Sequence, residues 1–155
     1  MNIFATYPDP DQSARILDDR RLVKMALETA QLLSTALVTH GHPGTHLYKP
    51  THHNHPCSIW TRESQSNYMW CVDHLAYLGE EYTRRFRKTH KSVELLPRFE
   101  AGYRLVPGGS LTPFANATHH KDLPVHTAYR TVMREKWEAD GIKARWTGAS
   151  PPRWR

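Results

Sequence analysis

A helical pattern over residues 18–37 constrains the fold of this chain more than any other stretch. Apolar residues recur there at steps of three and four: Val23, Ala26, Leu27, Ala30, Leu33 and Leu37. This spacing predicts an amphipathic helix that packs its apolar face into a core. The opposite side carries polar residues at the same steps, namely Arg21, Lys24, Glu28 and Gln31.

The polar side of this helix has two interpretations. In the first, it is a solvated face on which opposite charges stabilise the helix through i,i+4 pairs. In the second, Glu28 is an ionised carboxylate held among cations on a rigid element, where it can act on an anionic polymer. An isolated charge stripe more often belongs to the first class, so the rest of the chain has to decide between them.

Similar periodicity elsewhere predicts an all-α protein. The first long helix is expected over residues 11–38, and it ends before the glycine-containing turn at residues 41–44. A second long helix begins near Pro56 and ends in the cationic run 84–88, where the helix dipole favours positive charge.

The remaining segments are shorter. We expect a brief helix capped by Ser92 and a last helix over residues 123–139. Strand signals are few, and residues 2–7 are either a short strand or an extended arm. Residues 1–155 therefore form one compact domain with two long helices, a shorter C-terminal helix and long loops. The tail at 146–155 either docks by a Trp or stays loose.

The charge of the chain favours an anionic partner. Lys and Arg outnumber Asp and Glu by 21 to 15, a net charge of +6, and eleven His can add positive charge at acidic pH. A basic surface of this kind attracts polyanions, of which nucleic acid is the commonest. Charge that serves only solubility gives the same composition, so this feature alone does not separate the two.

Several classes of protein are excluded by composition. Two cysteines, Cys57 and Cys71, do not make a disulfide framework, and Cys71 lies on a helical pattern as a small core residue. No apolar run near the N-terminus resembles a signal peptide, and no stretch approaches about 18 apolar residues. We therefore expect reduced thiols, no membrane partner and a cytoplasmic location, which for a phage-encoded protein is the host cytoplasm.

Three histidines cluster in the loop at residues 48–56, at His52, His53 and His55. Neutral imidazoles bind metals, and protonated ones hold phosphate or transfer protons. No carboxylate or cysteine joins them at a recognised ligand spacing, so we expect no metal and no cofactor. The loop is either a phosphate- or base-contacting segment, which we favour, or a helix cap formed by Asn54 or His55.

Two further groups are candidates for contacts with nucleic acid. Arg62 and Asn67 can project from the second long helix toward the groove that holds Glu28, and an ordinary helix surface is an equal alternative. Phe114 or Tyr129 can stack an extruded base, as aromatic side chains do in enzymes that take a base out of the duplex. For Tyr129 we favour core packing.

Taken together, these residues resemble the pyrimidine dimer DNA glycosylase family of phages and bacteria. That family has a catalytic Glu on its first helix, with a cationic or His position seven residues earlier, and Glu28 and Arg21 have this spacing. The resemblance continues in a Pro-started second helix that contains Glu81 and Arg84, and in a tail that contains Trp154. The chain is still more similar to a group of small phage-encoded proteins that share most of its length.

The resemblance implies an α-helical enzyme that removes a damaged or modified base from DNA. In the family, the nucleophile is the α-amino group of residue two, which attacks the sugar C1′, forms an imine and leads to strand cleavage. A terminal amine suits this reaction because its ordinary pKa is about 8. Here Asn2 blocks removal of Met1, so either the Met1 amine acts, with AP-lyase activity, or Glu28 activates a water instead.

The sequence and the resemblance together predict which residues are catalytic and which bind DNA. The catalytic residues are Glu28 and Met1, with His53 and His55 as proton-transfer or phosphate-contact groups. Arg21 and Lys24 also keep Glu28 ionised, because nearby cations favour the charged form. The expected partner is duplex DNA, bound by Arg20, Arg21, Lys24, Lys49, His52, Asn54, Arg62, Arg130, Arg153 and Trp154.

Two other functions stay open at this point. The chain can be a non-catalytic phage protein that binds DNA or RNA, in which Glu28 only orders Arg21 and Lys24. It can also be a metal-dependent nuclease or hydrolase that uses the histidine loop. Steep salt dependence without any product favours the first, and loss of activity in chelator favours the second.

Overall fold

The computed structural model describes all 155 residues, which form six α-helices joined by loops, with no strand. No helix is long and apolar enough to cross a membrane. The all-α prediction is confirmed. Short 3₁₀ helices also occur, at Lys91–Leu95 and Tyr103–Leu105. The α-helices are α1 (Pro10–Arg15), α2 (Asp19–Thr39), α3 (Pro56–Glu63), α4 (Gln65–Phe86), α5 (Leu96–Gly102) and α6 (Val125–Ala139).

Both long helices predicted from the sequence are divided in two. The pattern over residues 11–38 covers α1 and α2, which are separated by residues 16–18. The pattern from Pro56 to the cationic run covers α3 and α4, which are separated by Ser64. The predicted bounds were wrong because apolar spacing continues across each break, while the breaks depend on side-chain caps.

Ser64 ends α3 and begins α4. Its backbone is extended, at φ −147° and ψ 156°, and its Oγ accepts a hydrogen bond from the Asn67 amide, as a serine N-cap does. The Asn67 side chain donates to Trp60 O at 2.8 Å and to Thr112 Oγ1 at 2.7 Å. Asn67 is therefore buried at this junction and does not project into a groove.

Arg85 of α4 fills the gap between α1 and α2. Its fully buried guanidinium donates to Arg15 O at 3.0 Å and to Leu17 O at 2.8 Å. The same group pairs with Asp19 at 3.0 Å and with Glu81 at 2.8 Å. Because the last carbonyls of a helix have no partner within it, Arg85 supplies the donors that end α1.

The buried face of α2 differs from the one that the spacing predicted. Val23 and Leu27 are 41% and 38% exposed, whereas Arg21 and Glu28 are each 8% exposed. The prediction that Val23 and Leu27 pack in the core was wrong. The arm at residues 1–7 places Met1 against Glu28 on the charged side of α2. The pattern of one helix does not report such a long-range contact.

This N-terminal arm is part of the core. Ile3 and Ala5 are fully buried, and the arm has no strand pairing. Two residues of α6, one turn apart, hold its backbone: His126 Nδ1 donates to Ala5 O at 2.6 Å, and Arg130 Nε donates to Thr6 O at 2.9 Å. The start of the chain therefore has a fixed place beside α2.

The C-terminal tail docks through Trp154, which is one of the two predicted arrangements. The ring of Trp154 stacks on Trp137 with centroids 5.6 Å apart, and its Nε1 donates to Tyr7 Oη at 2.9 Å. The guanidinium of Arg130 lies over the Tyr7 ring at 4.3 Å. The tail, α6 and the N-terminal arm are therefore packed together.

The short helix predicted near residue 92 is the 3₁₀ helix Lys91–Leu95, and its cap differs from the prediction. His90 Nδ1 accepts from the Ser92 amide at 3.1 Å, so His90 is the cap. The Ser92 hydroxyl is instead hydrogen-bonded to Tyr48 Oη at 3.0 Å. This contact ties the long loop after α2 to the segment after α4.

The contact between α4 and α1 buries an imidazole. His74 stacks on Trp70 with centroids 4.9 Å apart, and its Nδ1 donates to Pro10 O at 3.0 Å. Its Nε2 has no hydrogen-bond partner. Burial lowers the pKa of His74 from 6.5 to about 4, because desolvation disfavours the charged ring.

We expect His74 to make the folded protein less stable in acid. The unfolded chain takes up a proton near pH 6.5 and the folded chain only near pH 4, so stability falls across this window, by up to about 3 kcal/mol. His74→Gln keeps an N–H donor for Pro10 O and does not titrate. Urea unfolding at a series of pH values should show wild type losing stability relative to this variant, and a pH-independent difference would be contrary to this assignment.

Candidate active site

The N-terminal arm brings the Met1 amine next to Glu28 in the middle of α2. The α-amino nitrogen is 3.7 Å from Glu28 Oε2, and the two side chains are 2% and 10% exposed. The Met1 side chain is buried, and the Glu28 carboxylate is nearly so, which leaves the pair less screened by salt than one at the open surface. The structure therefore brings together the two residues that the sequence singled out as catalytic.

Lys24 completes the surroundings of the carboxylate. It lies one turn before Glu28 on α2, and its exposed Nζ is 3.4 Å from Glu28 Oε1. Each carboxylate oxygen thus faces a different cation, the Met1 amine on the inside and the Lys24 ammonium on the solvent side. Lys24 therefore lies beside Glu28, where the helical spacing predicted it.

The first residues of the arm are bent toward α2. Asn2 Oδ1 accepts hydrogen bonds from the amides of Ile3 and Phe4, both at 2.8 Å. Phe4 has a φ of +41°, a left-handed value that bulky residues rarely adopt. Asn2 therefore has a structural part: its side chain stabilises the strained turn that directs Met1 to Glu28.

His55 lies in the same electrostatic environment. Its Nδ1 accepts a hydrogen bond from the Cys57 amide at 3.1 Å and caps α3. A helix cap formed by His55 was one of the alternatives that the sequence left open. Burial lowers the pKa of His55, the positive Met1 amine and His52 lower it further, and the Glu28 carboxylate opposes them. The neutral ring, with Nδ1 accepting, carries its proton on Nε2 and can donate it there.

The rest of the histidine loop is exposed. His53 Nδ1 lies 3.3 Å from Asn54 Oδ1, and no hydrogen bond or ion pair joins His53 to Met1 or Glu28. Arg62 donates to His53 O at 2.7 Å and so orders the loop from α3. The exposed side chains that it presents to solvent are Lys49, His52, His53 and Asn54.

This loop does not assemble a set of metal ligands. The one group of three His, Cys, Asp or Glu side chains whose ligand atoms converge lies elsewhere in the protein. Burial raises the pKa of the Cys57 thiol to about 11, so the thiol stays protonated and is not a nucleophile. Cys71 is fully buried, as the sequence predicted.

A basic pocket of about 340 Å³ extends from the same side of α2. Exposed cations from two helices line it, Arg20 and Lys24 from α2 and Lys136 from α6. Phosphate oxygens are the ligands that such a group of cations binds best. Lys136 was not found by sequence reasoning, because nothing in the pattern of α6 distinguishes it from an ordinary surface lysine.

Arg21 lines this pocket as well, but its charge is compensated within the protein. Its guanidinium donates to Asp18 Oδ1 at 3.1 Å and to Asp140 Oδ2 at 2.9 Å. The hydrogen bond from Arg21 holds the pKa of Asp140 below its ordinary value. Arg21 therefore joins α2 to the end of α6 through its Nη1, and its charge is already paired with two carboxylates, which makes it a weaker phosphate ligand than predicted.

Other side chains that the sequence predicted to bind DNA make contacts within the protein instead. Arg130 and Trp154 hold the arm and the tail, whereas Arg153 is exposed. Tyr129 is fully buried, as favoured from the sequence. Phe114 stacks on Trp60 with centroids 4.8 Å apart, so its ring is used in packing and is not free to receive a base on that face.

Comparison with known proteins relates this chain to a family, although not to any individual protein. No curated protein and no solved structure matches it at a significant level. The sequence profile of the family described as pyrimidine dimer DNA glycosylase matches residues 1–95 of the 155. This range contains Met1, Lys24, Glu28 and His55, and it covers more than half of the chain. The protein therefore belongs to the pyrimidine dimer DNA glycosylase family.

Proposed function

We propose that this protein removes a damaged or modified base from duplex DNA and uses the α-amino group of Met1 as its nucleophile. The observation that carries the proposal is the 3.7 Å separation between this amine and the Glu28 carboxylate. Membership of the family supports glycosylase-type action on DNA.

The reaction starts from the neutral form of the amine, so the Met1 ammonium that is paired with Glu28 must first lose a proton to water. The Met1 nitrogen forms a bond to C1′ as the glycosidic bond breaks, and the base leaves with the bonding electron pair and takes up a proton. A proton then passes from the nitrogen through Glu28 to the sugar ring oxygen, which opens the ring and gives an iminium ion. Glu28 also stabilises the positive charge that develops on the sugar.

The same intermediate leads to strand cleavage. Loss of a proton from C2′ expels the 3′ phosphate by β-elimination, and water hydrolyses the imine to release Met1. The His55 Nε2–H can donate a proton to the leaving group, because the ring is neutral and its Nδ1 accepts the hydrogen bond that caps α3. Arg20, Lys24 and Lys136 hold the phosphates next to the reacting nucleotide.

The proposal requires that Met1 is retained. The Met1 side chain is almost completely buried, and Asn2 is engaged in the turn that positions it. Removal of Met1 would move the amine to the next residue, about 3.8 Å along the chain, and would empty the space that the Met1 side chain fills. Both effects would separate the amine from Glu28.

Activity on two defined duplexes tests this function. One carries a single pyrimidine dimer and the other a single abasic site, and both are incubated with the protein in the presence of chelator. We expect the abasic strand to be cut by β-elimination without any metal ion, and the dimer strand to be cut after base release. Base release that leaves an uncut abasic strand would instead assign Glu28 to water activation, and two intact duplexes would contradict enzyme function.

A further inference from the structure

A second group of titratable side chains lies outside residues 1–95, which the family profile matches. It forms where the loop before α6 packs against the side of that helix. His120 Nε2 is 2.6 Å from Glu135 Oε1, and His119 Nε2 is 3.2 Å from Glu135 Oε2. The two imidazole rings are adjacent, with centroids 4.1 Å apart. The ligand atoms of all three side chains lie within 4.8 Å of one another.

We propose that His119, His120 and Glu135 bind a zinc ion. Zinc forms bonds of about 2.0–2.2 Å to imidazole nitrogen and carboxylate oxygen, so neighbouring donors in its tetrahedron are about 3.3 Å apart. The 3.2 Å separation in the structure is close to this value, and the 2.6 Å separation, which is that of a hydrogen bond, would lengthen by about 0.7 Å as the Glu135 carboxylate turns onto the ion. Two nitrogens and one carboxylate favour zinc over magnesium or calcium, which prefer oxygen ligands.

Without a metal, the same three groups can form a hydrogen-bonded cluster, because a neutral imidazole that carries its proton on Nε2 donates to a carboxylate oxygen. With a divalent cation, the Nε2 atoms are unprotonated and all three side chains act as electron-pair donors to the ion. Measured zinc binding therefore distinguishes the two states.

The backbone of the site is ordered by its own hydrogen bonds. Asn116 Nδ2 donates to His120 O at 3.0 Å, and Thr118 Oγ1 accepts from the His120 amide at 3.1 Å. Asn116 Oδ1 in turn accepts from the Thr118 hydroxyl at 2.6 Å. The position of His120 is therefore set by the loop itself, and little further ordering is needed when a ligand binds.

Bound zinc would fasten this loop to α6. Three protein ligands leave a fourth position for water on the exposed side, where His119 lies. The helix that carries Glu135 is also the one whose His126 and Arg130 hold the N-terminal arm. The zinc site thus strengthens the part of the fold that positions Met1, and it does not depend on which reaction Met1 performs.

The chain offers a matched control, because it contains a second pair of adjacent histidines at His52 and His53. Zinc chloride is titrated calorimetrically into tag-free, metal-stripped protein, and thermal unfolding is recorded with and without zinc. We expect one zinc per chain and a raised Tm for wild type and for the His52→Ala/His53→Ala variant. The His119→Ala/His120→Ala variant should bind at least about 100-fold more weakly and show no zinc-dependent rise.

Glu135→Gln gives the second, nearly isosteric, test of the same site, and circular dichroism verifies that each variant is folded. It should also lose zinc affinity, because an amide oxygen is a much weaker ligand than a carboxylate. The proposal is overturned if wild type binds no stoichiometric zinc, if the His119→Ala/His120→Ala variant binds as tightly as wild type, or if the control variant is the one that loses the ion.

Discussion

Glu28→Gln is expected to lower the rate of base release and strand cleavage by about 10²–10⁴-fold while folding and DNA binding are retained. Glutamine keeps the shape of the side chain and can still accept a hydrogen bond from Met1. It cannot carry the negative charge that faces the developing cation, and it cannot pass on a proton. Single-turnover cleavage of the abasic duplex measures the rate, and salt-dependent binding measures affinity.

Glu94→Gln is the matched control for this variant. Glu94 is an exposed glutamate on the 3₁₀ helix Lys91–Leu95, and its substitution changes the net charge by the same amount. Its cleavage rate should equal that of wild type. A wild-type rate for Glu28→Gln would remove the proposed mechanism, and an equal loss in both variants would trace the effect to overall charge.

Replacing Arg85 with Leu should destabilise the fold by about 3–5 kcal/mol. The buried guanidinium caps α1 through Arg15 O and Leu17 O and pairs with Asp19 and Glu81. Leucine leaves the two carbonyls without this donor. It also removes the pairing of Arg85 with Glu81 and Asp19, which keep only their hydrogen bonds to Arg84 and Thr147. The free energy of unfolding from urea titration, compared with wild type, measures the loss.

The neighbouring Arg84 provides the comparison for this prediction. It is half-exposed, and it donates to Glu81 at 2.6 Å and to Gly148 O at 2.8 Å. Burial alone would raise the pKa of Glu81, but hydrogen bonds from Arg84 and Arg85 hold it below its ordinary value. Arg84→Leu should cost less than Arg85→Leu, about 1–2 kcal/mol, because the Arg84 side chain is 44% exposed and Glu81 keeps its hydrogen bond from Arg85. Equal losses in the two variants would contradict the capping part assigned to Arg85.

The helical class of the protein could be predicted from its sequence because apolar spacing reports it directly. The break between α1 and α2 could not, since it depends on a distant partner: Arg85 is 68 residues from Leu17, whose carbonyl accepts its hydrogen bond. The exposure of Val23 and Leu27 was also mispredicted. A single helix pattern carries no information about an arm that places Met1 against its charged side.

Part of the candidate site was also accessible from the sequence. Glu28 and Met1 followed from spacing and resemblance, and the structure places them side by side. Lys136 was missed because it reaches the basic pocket from the other end of the chain. His119 and His120 were missed because their partner Glu135 is 15 residues after His120 and on a different element, α6. No recognised ligand motif has this spacing.

The most direct test of the central claim is borohydride trapping on a duplex with one abasic site, followed by mass spectrometry of the peptides. Borohydride reduces an imine to a stable amine, so the nucleophile is marked by the DNA that it holds. The account predicts a covalent adduct on the α-amino group of the N-terminal peptide, with Met1 retained. An adduct on Lys24 or another lysine, or cleavage without any adduct, would contradict it.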